Sequence, residues 1–412
     1  MPIPDLRVIK RLLCILTIIL LAPACGLSGS DDSAGSLMVT QRSGPSPAPV
    51  ARDPEPVATV ANTPITQSSE VTAPTPLPTP NPLRCLATRQ RVAQLLLPLV
   101  TQPELFGAQV YAADGDLGGI GLLGQPNAQI GTDLAALQQA SFVPLLVASD
   151  EEGGSVQRLA TLLGPIPSAA KTAQLQTPED TRQQWVEYGL RVRALGIDVV
   201  FGPVLDVGSG PGIESRSFSD DPQVVTSYGR AVAGGLIEAG VTPVVKHFPG
   251  HGSATADSHL ELPTTPPLVD LRSSDLVPYV EILMDPIFRE QVGVMIGHLA
   301  VPGLSGELPT SLSPETISGL LRDELGFGGL VFTDAMNMGA IINAYGLLDA
   351  LEQAIVAGAD IAILGSLADV TPALDYLVTR AQEDQNFGSI VDNRAARVLA
   401  AKGQDGLCAG AQ

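Results

Sequence analysis

The chain has 412 residues, of which 45% are hydrophobic, so it can bury a sizeable core as one large barrel domain or as two smaller domains. Its formal charge of −20 argues against nucleic acid and against an anionic membrane surface as direct partners, because both are bound through basic surfaces. We expect the acidic residues to form a solvated surface.

The first 24 residues have the pattern of a bacterial export signal. Arg7, Lys10 and Arg11 precede an apolar run, LLCILTIILLAPA, which is long enough for a signal peptide and too short to span a membrane. The small residues directly before Cys25 resemble the lipobox of bacterial lipoproteins, in which the cysteine is acylated. Residues 1–24 are therefore predicted to be a lipoprotein signal peptide, and Cys25 the lipidation site. Plain secretion is the alternative.

Both alternatives place the mature protein outside the cytoplasm. With a lipid on Cys25, it would be anchored to the outer face of the bacterial cytoplasmic membrane, and the lipid would be its only contact with the membrane. Residues 25–83 are rich in Pro, Ser and Thr and almost free of aromatic residues. Such a segment buries too little apolar surface to fold, so a disordered tether is predicted.

Two cysteines remain outside the predicted signal peptide and the predicted lipidation site. Cys85 and Cys408 bracket residues 84–412 almost end to end. Domain termini often lie close together, and an exported protein folds in an oxidising compartment, so the two cysteines can form a disulfide. Two unpaired thiols are the alternative.

From Cys85 onward, short apolar runs alternate with segments of helical character. Continuous apolar strands between helices are typical of a parallel sheet that is buried on both faces. We predict an α/β fold, a (β/α)8 TIM-type barrel forming a single catalytic domain over residues 84–412, with a doubly wound open sheet as the alternative. The candidate strands lie within residues 94–100, 117–124, 143–150, 197–207, 241–250, 292–300, 328–336 and 359–365.

Many of these apolar runs end in a charged residue or a histidine. In a barrel, side chains at the carboxyl ends of the strands face the active site, so this pattern favours an enzyme. The residues at these ends are Asp150, Asp206, Lys246, His247, His298 and Asp334.

The segment SDEEGGSVQRL, residues 149–159, offers groups that suit a polyhydroxylated ligand. Asp150 supplies hydrogen-bond acceptors and Arg158 a forked donor. A capped helix start with a surface arginine is the alternative. Arg216 follows in a Gly-rich loop, residues 206–222, which lacks the ending and spacing of a phosphate-binding loop.

Two further strand ends carry candidate functional groups. Lys246 follows two valines, where an unpaired ammonium is costly, so a carboxylate or a ligand oxygen is expected beside it. His247 can bind a ligand, or it can be a core histidine whose ring nitrogens are hydrogen-bonded within the protein. Asp334 ends a very apolar strand, where it can attack an anomeric carbon, stabilise the positive charge that develops there, or cap a helix.

Three of the four histidines lie within residues 246–259, KHFPGHGSATADSH. Zinc is often bound by histidine and carboxylate, and His247, His251, Asp257 and His259 could supply four ligands. The tight helical HExxH spacing is absent, however, and four protein ligands would leave a closed structural site. We therefore predict neither a metal nor another cofactor.

The run KHFPGHG followed by Asp257-Ser258-His259 resembles the signature of glycoside hydrolase family 3, specifically its bacterial β-N-acetylhexosaminidase subgroup in a single-domain form. The resemblance covers roughly residues 86–400. It implies that Asp334 is the nucleophile, that His259 is the general acid/base and that Asp257 is the partner of His259.

The same resemblance assigns substrate-binding positions. It implies that Asp150, Arg158, Arg216, Lys246 and His247 hold the terminal sugar, and it places His298 at a pocket position without a specified role. Glu151 and Ser155 stand where the subgroup commonly has Gln and Arg, so we expect an altered rim of the site.

The resemblance implies a retaining, exo-acting β-N-acetylglucosaminidase that acts through a covalent glycosyl-Asp intermediate on cell-wall fragments or chitin-type oligosaccharides. A phosphorylase on the same scaffold and a non-catalytic carbohydrate-binding lipoprotein are the alternatives. We expect a monomer whose partner is a carbohydrate with a terminal N-acetylglucosamine. We also expect the loop that carries Asp257 and His259 to close over the sugar.

Overall fold

The computed structural model describes residues 82–405 and 407–408. The predicted signal peptide, Cys25 and residues 25–81 of the predicted tether lie outside the described residues. The prediction extends the tether to residue 83, but the side chain of Leu83 is buried and belongs to the hydrophobic core. The folded region therefore includes at least one residue before residue 84.

Ten strands are present in the described part of the chain. They are β1 (Leu96–Thr101), β2 (Gly119–Leu123), β3 (Leu146–Ser149), β4 (Glu151–Gly153), β5 (Val156–Gln157), β6 (Val199–Val204), β7 (Thr242–Phe248), β8 (Gly293–Ile296), β9 (Val331–Ala335) and β10 (Ile361–Leu364).

All of these strands except β4 and β5 form one closed parallel barrel, in the order β1-β2-β3-β6-β7-β8-β9-β10. The barrel closes on β1, in which Leu99 is in register with Gly121 of β2 and Leu97 is in register with Ile363 of β10. Each barrel strand coincides with one predicted apolar segment, so the TIM-type barrel is confirmed and the open sheet is excluded. Strands β4 and β5 form a separate antiparallel hairpin that the sequence does not predict.

Helices surround the barrel and connect its strands. Helix termini follow local sequence: one long helix begins at Pro178, where Thr177 and Asp180 form a capping box. No helix in residues 82–405 is both long enough and apolar enough to cross a membrane.

The α-helices are α1 (Thr88–Ala93), α2 (Leu105–Asp114), α3 (Ile130–Ala140), α4 (Ala160–Leu163), α5 (Ala169–Leu175), α6 (Pro178–Ala194), α7 (Pro222–Glu238), α8 (Leu268–Leu271), α9 (Val277–Leu283), α10 (Pro286–Arg289), α11 (Gly339–Ile342), α12 (Leu347–Ala357), α13 (Val370–Glu383) and α14 (Gln385–Ala401). Short 3-10 helices span Gln102–Glu104, Glu214–Arg216, Thr310–Leu312 and Leu367–Asp369, and a π-helix spans Glu315–Glu324.

The hydrophobic core has two parts because successive strand residues point to opposite faces. In β10, Ile361 and Ile363 belong to the cluster that fills the barrel, whereas Ala362 and Leu364 belong to the cluster that also includes the helices. This double burial explains why the strands are continuously apolar. A filled interior leaves the carboxyl ends of the strands as the place where polar side chains can meet.

The start and the end of the barrel domain are joined covalently. Cys85 and Cys408 form a disulfide with a Cα–Cα distance of 5.4 Å, across a sequence separation of 323 residues. The structure therefore contains the predicted bridge and not the alternative pair of free thiols.

Candidate active site

An open cavity of about 320 Å³ lies at the carboxyl ends of the barrel strands. Its floor includes Phe201, Met295 and Ile363, which belong to the cluster that fills the barrel. The cavity therefore ends inside the barrel and does not pass through it. Predicted site residues that line it are Asp150, Arg158, Arg216, Lys246, His247, His259 and Asp334.

Five charged side chains form one connected group, which we call the charged cluster: Asp150, Glu152, Arg158, Arg216 and Lys246. Lys246 Nζ lies 2.8 Å from Asp150 Oδ1 and 2.6 Å from Glu152 Oε1. Arg216 binds both carboxylate oxygens of Glu152, at 2.7 and 2.9 Å. Arg158 donates to Asp150 Oδ2 at 3.0 Å. A carboxylate was predicted beside Lys246, and the structure places two there, those of Asp150 and Glu152.

Glu152 is a member of this cluster that the sequence reasoning missed. It lies in β4, and its side chain is 3% exposed between Lys246 and Arg216. Residues two apart in an extended segment point the same way, so the pair Asp150 and Glu152 was the available signal. Because the sequence did not predict the short β4–β5 hairpin, it gave no reason to place Asp150 and Glu152 on the same face.

The charges of the cluster stabilise one another. Burial would raise the pKa of Glu152, but Lys246 and Arg216 outweigh burial and lower it to about 2. Burial opposes ionisation of Asp150 as well, yet Lys246 and Arg158 hold its pKa below the usual range. Both carboxylates are therefore ionised at neutral pH and can accept hydrogen bonds from sugar hydroxyls.

Asp150 and Arg158 do not form a helix cap. Asp150 leads into the β4–β5 hairpin, and the next helix begins only at Ala160, with Leu159 at its N-cap. Arg158 folds back onto Asp150 and lines the cavity. The alternative of a capped helix start with a surface arginine is therefore wrong.

Glu151 points away from the cavity, and the expectation that it alters the rim is wrong. Its side chain is fully buried and accepts hydrogen bonds from Ser149 Oγ at 2.5 Å and Tyr188 Oη at 2.6 Å. Burial raises the pKa of Glu151 to about 7. Alternation along the extended chain sends Glu151 to the opposite face from its neighbours. Ser155 is exposed in the turn of the hairpin.

His247 is both buried and part of the cavity wall. Its Nδ1 lies 2.7 Å from Asp206 Oδ2, and Asp206 also accepts the backbone N–H groups of His247 and His251. Its Nε2 lies 3.3 Å from Arg216 Nη2, which can only donate. Asp206 therefore orients His247.

Asp334 ends β9 and lines the cavity. Its Oδ1 accepts the Ala335 N–H at 2.7 Å. The following helix, α11, has Met338 at its N-cap, so the helix-cap alternative for Asp334 is wrong. Burial alone would raise the pKa of Asp334, but the imidazoles of His247 and His298 and the Ala335 N–H lower it. An ionised carboxylate is the form that acts as a nucleophile.

His298 lies beneath the cavity and is not part of its lining. Its Nε2 donates to the Ala335 carbonyl at 3.1 Å, so its Nδ1 accepts from Ser311 Oγ at 2.7 Å. The resemblance places His298 among the substrate-binding positions. The structure corrects this, because a fully buried ring with both nitrogens occupied supports the backbone beside Asp334.

Asp257 and His259 lie on the segment between β7 and α8, residues 249–267, which we call the His259 loop. Asp257 Oδ1 accepts both the backbone N–H of His259, at 2.9 Å, and its Nδ1, at 2.7 Å. His259 lines the cavity, and its side chain is 61% exposed. Because Asp257 occupies Nδ1, Nε2 is the ring nitrogen left for a substrate.

The His259 loop is already docked, so the expectation that it must close over the sugar is wrong. The carbonyls of Ser258 and His259 accept the N–H groups of Ala340 and Gly339, at 3.1 and 3.0 Å. His251 Nε2 lies 3.0 Å from Ser258 Oγ. A Cβ at residue 339 would lie 2.4 Å from the Leu260 carbonyl oxygen, so this close contact requires a glycine.

The histidines of the predicted region do not converge on one point. His247 and His259 each direct Nδ1 to a different carboxylate. Within residues 82–405 and 407–408, no group of three or more His, Cys, Asp and Glu side chains is arranged to hold a metal ion.

Asp334 and His259 thus place a carboxylate and a separate imidazole in one closed-bottom cavity, and glycoside hydrolases use two such groups on either side of the bond they break. Residues 88–401 match the family model described as the glycosyl hydrolase family 3 N-terminal domain, and the chain belongs to that family.

Relatives and solved structures agree with this assignment. The chain is 39% identical over 361 residues to a beta-hexosaminidase, LpqI, from Mycobacterium tuberculosis, covering 81% of this chain and 90% of the relative. The structure of a family 3 glycosyl hydrolase from Mycobacterium smegmatis has a TM-score of 0.70 at 40% identity, covering 76% of this chain and 97% of that one. A family 3 β-N-acetylglucosaminidase from Paenibacillus sp. has a TM-score of 0.72 at 33% identity, covering 79% of this chain and 64% of that one.

Proposed function

We propose that this glycoside hydrolase is a retaining, exo-acting β-N-acetylglucosaminidase. The observation that carries the proposal is the presence of Asp334 and His259 in one cavity, together with the charged cluster. Relatives named beta-hexosaminidase and β-N-acetylglucosaminidase support the choice of sugar.

The reaction takes place in two displacements. In the first, Asp334 attacks the anomeric carbon while His259 gives its proton to the departing oxygen, so a glycosyl-Asp bond forms as the glycosidic bond breaks. In the second, His259 removes a proton from water, which attacks the same carbon and releases Asp334. Two inversions leave the product in the β configuration.

Asp257 orients the ring of His259 and stabilises the protonated imidazole. Its carboxylate is suited to this task. Burial would raise the pKa of Asp257, but the backbone N–H and the ring of His259 lower it. The Asp257 carboxylate is therefore negative when the imidazole carries its proton.

The charged cluster is the proposed site of the terminal sugar. Its ionised carboxylates accept hydrogen bonds from hydroxyls, and its Arg and Lys side chains donate them. The residues of the barrel interior close the cavity beneath it. A closed end admits the end of a saccharide chain and not its middle, which supports exo action.

The test is product analysis with 4-nitrophenyl β-N-acetylglucosaminide, with and without phosphate. We expect free N-acetylglucosamine in both reactions, released first as the β anomer in an NMR time course. Formation of the sugar 1-phosphate as the only product would show a phosphorylase. Failure to release 4-nitrophenol under any condition would favour a non-catalytic carbohydrate-binding lipoprotein.

We also propose that the protein is exported and anchored through a lipid on Cys25, and that it acts on cell-wall fragments. The leader pattern before Cys25 and a disulfide between Cys85 and Cys408 support an oxidising compartment. Replacing Cys25 with Ser should release the protein from the membrane fraction. If the variant stays in the membrane fraction, the proposal of a lipid anchor on Cys25 is wrong. Parallel assays on purified peptidoglycan fragments and on chitobiose would identify the preferred substrate.

A further inference from the structure

The β4–β5 hairpin and the residues that flank it have two faces. One face lines the cavity and carries Asp150, Glu152, Val156 and Arg158. Successive side chains of an extended chain point to opposite sides, so Glu151 and Gln157 point the other way. These two residues are in register in the hairpin, and both are buried. One short element therefore supplies residues to the cavity and, on its other side, a buried polar face.

Glu151 connects three segments of the chain on that buried face. Its Oε1 accepts a hydrogen bond from Ser149 Oγ at 2.5 Å, and its Oε2 accepts from Tyr188 Oη at 2.6 Å and from the Leu159 N–H at 3.4 Å. Ser149 and Leu159 flank residues 150–158 directly. One carboxyl group therefore holds both ends of residues 150–158 to each other and to α6, which carries Tyr188.

The hairpin needs this support because it is too short to fix its own geometry. Its strands are only three and two residues long, and an isolated pair of strands is marginally stable at best. Further hydrogen bonds extend the buried face: Gln157 Nε2 donates to Tyr188 Oη at 3.0 Å, and Gln157 Oε1 accepts the Ile166 N–H at 2.9 Å. The position of the hairpin is therefore set from its buried side.

We propose that Glu151 is a positioning residue of the sugar site. It holds the β4–β5 hairpin so that Asp150, Glu152 and Arg158 face the cavity in the arrangement that binds the terminal sugar. Glu151 itself touches no substrate, because its side chain lies on the buried face. The proposal rests on the proposed function, since it takes the charged cluster as the site of the terminal sugar.

The positioning role predicts a loss of binding. Asp334 and His259 lie on β9 and on the His259 loop, and in the described part of the chain neither forms a hydrogen bond with Glu151 or Tyr188. A displaced hairpin would weaken the contacts of the charged cluster with the terminal sugar before and during the reaction alike. An interaction of that kind is seen in KM more than in kcat.

The test measures KM for 4-nitrophenyl β-N-acetylglucosaminide and Ki for methyl 1-thio-β-N-acetylglucosaminide, an analogue that resists hydrolysis. Glu151→Ala removes the common acceptor, so we expect KM and Ki to rise on the order of tenfold. Glu151→Gln should restore both to values close to those of the wild type. The amide keeps one acceptor oxygen, and its NH₂ group can donate to a hydroxyl oxygen of Ser149 or Tyr188.

Leu377→Ala is the matched control for a general loss of stability. Leu377 is also fully buried, but it lies on α13, which is outside the lining of the cavity. Its KM and Ki should equal those of the wild type. Tyr188→Phe is a milder second variant, because it keeps the ring in the core and removes one donor to Glu151. It should raise KM and Ki about threefold, and it decides the matter if Glu151→Ala does not fold.

The results that would overturn the proposal can be told apart. Folded Glu151→Ala or Tyr188→Phe with the KM and Ki of the wild type would refute the positioning role and leave the proposed function standing. A rise of the same size in Leu377→Ala would assign the effect to lost stability and would also refute positioning. A wild type that does not hydrolyse the 4-nitrophenyl glycoside would refute the proposed function, and the positioning role with it.

Discussion

The closed end and the open end of the cavity are built in different ways. At the closed end, Glu152 and Lys246 project from strands β4 and β7, are almost fully buried and hold each other by ion pairs. At the open end, His259 lies on a loop, its side chain is mostly exposed, and one carboxylate orients it. Strands fix side chains through packing, whereas the His259 loop is held by a few hydrogen bonds. Stability should therefore depend on the closed end, and proton transfer on the open end.

The largest effect should come from Asp334, the proposed nucleophile. Replacing Asp334 with Asn keeps the size of the side chain but removes the charge that attacks the anomeric carbon. We expect kcat on 4-nitrophenyl β-N-acetylglucosaminide to fall by on the order of 10³-fold or more. The melting temperature should stay within a few degrees of the wild type. A rate close to the wild-type rate would refute the assignment.

Glu152→Gln tests whether the closed end supports the fold. Lys246 and Arg216 would lose one buried anionic partner, so we expect the free energy of unfolding at pH 7 to fall by about 3 kcal/mol. The folded-state pKa of about 2 lies below the ordinary value of 4.5, so this stabilisation is present above pH 4.5 and is lost as the pH falls toward 2. Urea unfolding at pH 7 and pH 3 measures it.

The same experiment carries its own check. The stability difference between wild type and Glu152→Gln should shrink at pH 3, because the carboxyl group of the unfolded wild-type chain, with an ordinary pKa of 4.5, is then protonated while the folded one is still mostly ionised. A difference that is equal at both pH values would show that shape, and not charge, sets the role of Glu152.

His259→Ala tests the open end. Leaving groups that are poor need protonation, so we expect kcat/KM on methyl β-N-acetylglucosaminide to fall by on the order of 10²-fold or more. On 4-nitrophenyl β-N-acetylglucosaminide, whose leaving group is acidic, the fall should be much smaller. The free energy of unfolding should be nearly unchanged, since the side chain is 61% exposed. Equal losses on the two substrates would contradict the acid role.

Glu151→Gln gives the opposite pH dependence from its neighbour. Burial raises the folded-state pKa of Glu151 from 4.5 to about 7. Stability is therefore full below pH 4.5 and decreases as the pH rises toward 7, because the unfolded chain ionises first. We expect the wild type to lose about 2 kcal/mol between pH 5 and pH 7.5 from this group, and the variant to lack that loss. Urea unfolding of wild type and variant at the two pH values measures this loss. An equal change in the free energy of unfolding of the two proteins would refute the prediction.

The contrast between the two ends also explains what the sequence could predict. Continuous apolar runs identified all barrel strands, and polar residues at their ends located Asp150, Lys246 and Asp334 in the cavity. The cost of a buried ammonium predicted a carboxylate for Lys246 but not its identity. Glu152 was missed because β4 and β5 are only three and two residues long.

Non-local contacts account for the remaining errors. The burial of His298 depends on Ser311 and Ala335, which come from other segments of the chain. The docked His259 loop depends on Gly339, eighty residues further along in sequence. Neither contact has a local pattern, so the sequence indicated which residue types were present and not where they would lie.

The smallest expected effect tests the loop contact beneath His259. Ser258 is buried, and its hydroxyl lies 3.0 Å from His251 Nε2. Removing the hydroxyl in Ser258→Ala leaves a buried imidazole nitrogen without its partner, at a cost of about 1 kcal/mol. A looser His259 loop should lower kcat/KM several-fold on the methyl glycoside and less on the 4-nitrophenyl glycoside.

The dependence on the leaving group separates positioning from general destabilisation. Ser389→Ala is the matched control, since Ser389 is exposed on α14 and bonds only the carbonyl of Gln385, one turn earlier. It should leave both substrates unaffected. Equal losses on both substrates in Ser258→Ala would mean that the hydroxyl supports the fold alone. A loss confined to the methyl glycoside would show that the open end of the cavity is set by hydrogen bonds within the loop, because only the proton-transfer step would then have changed.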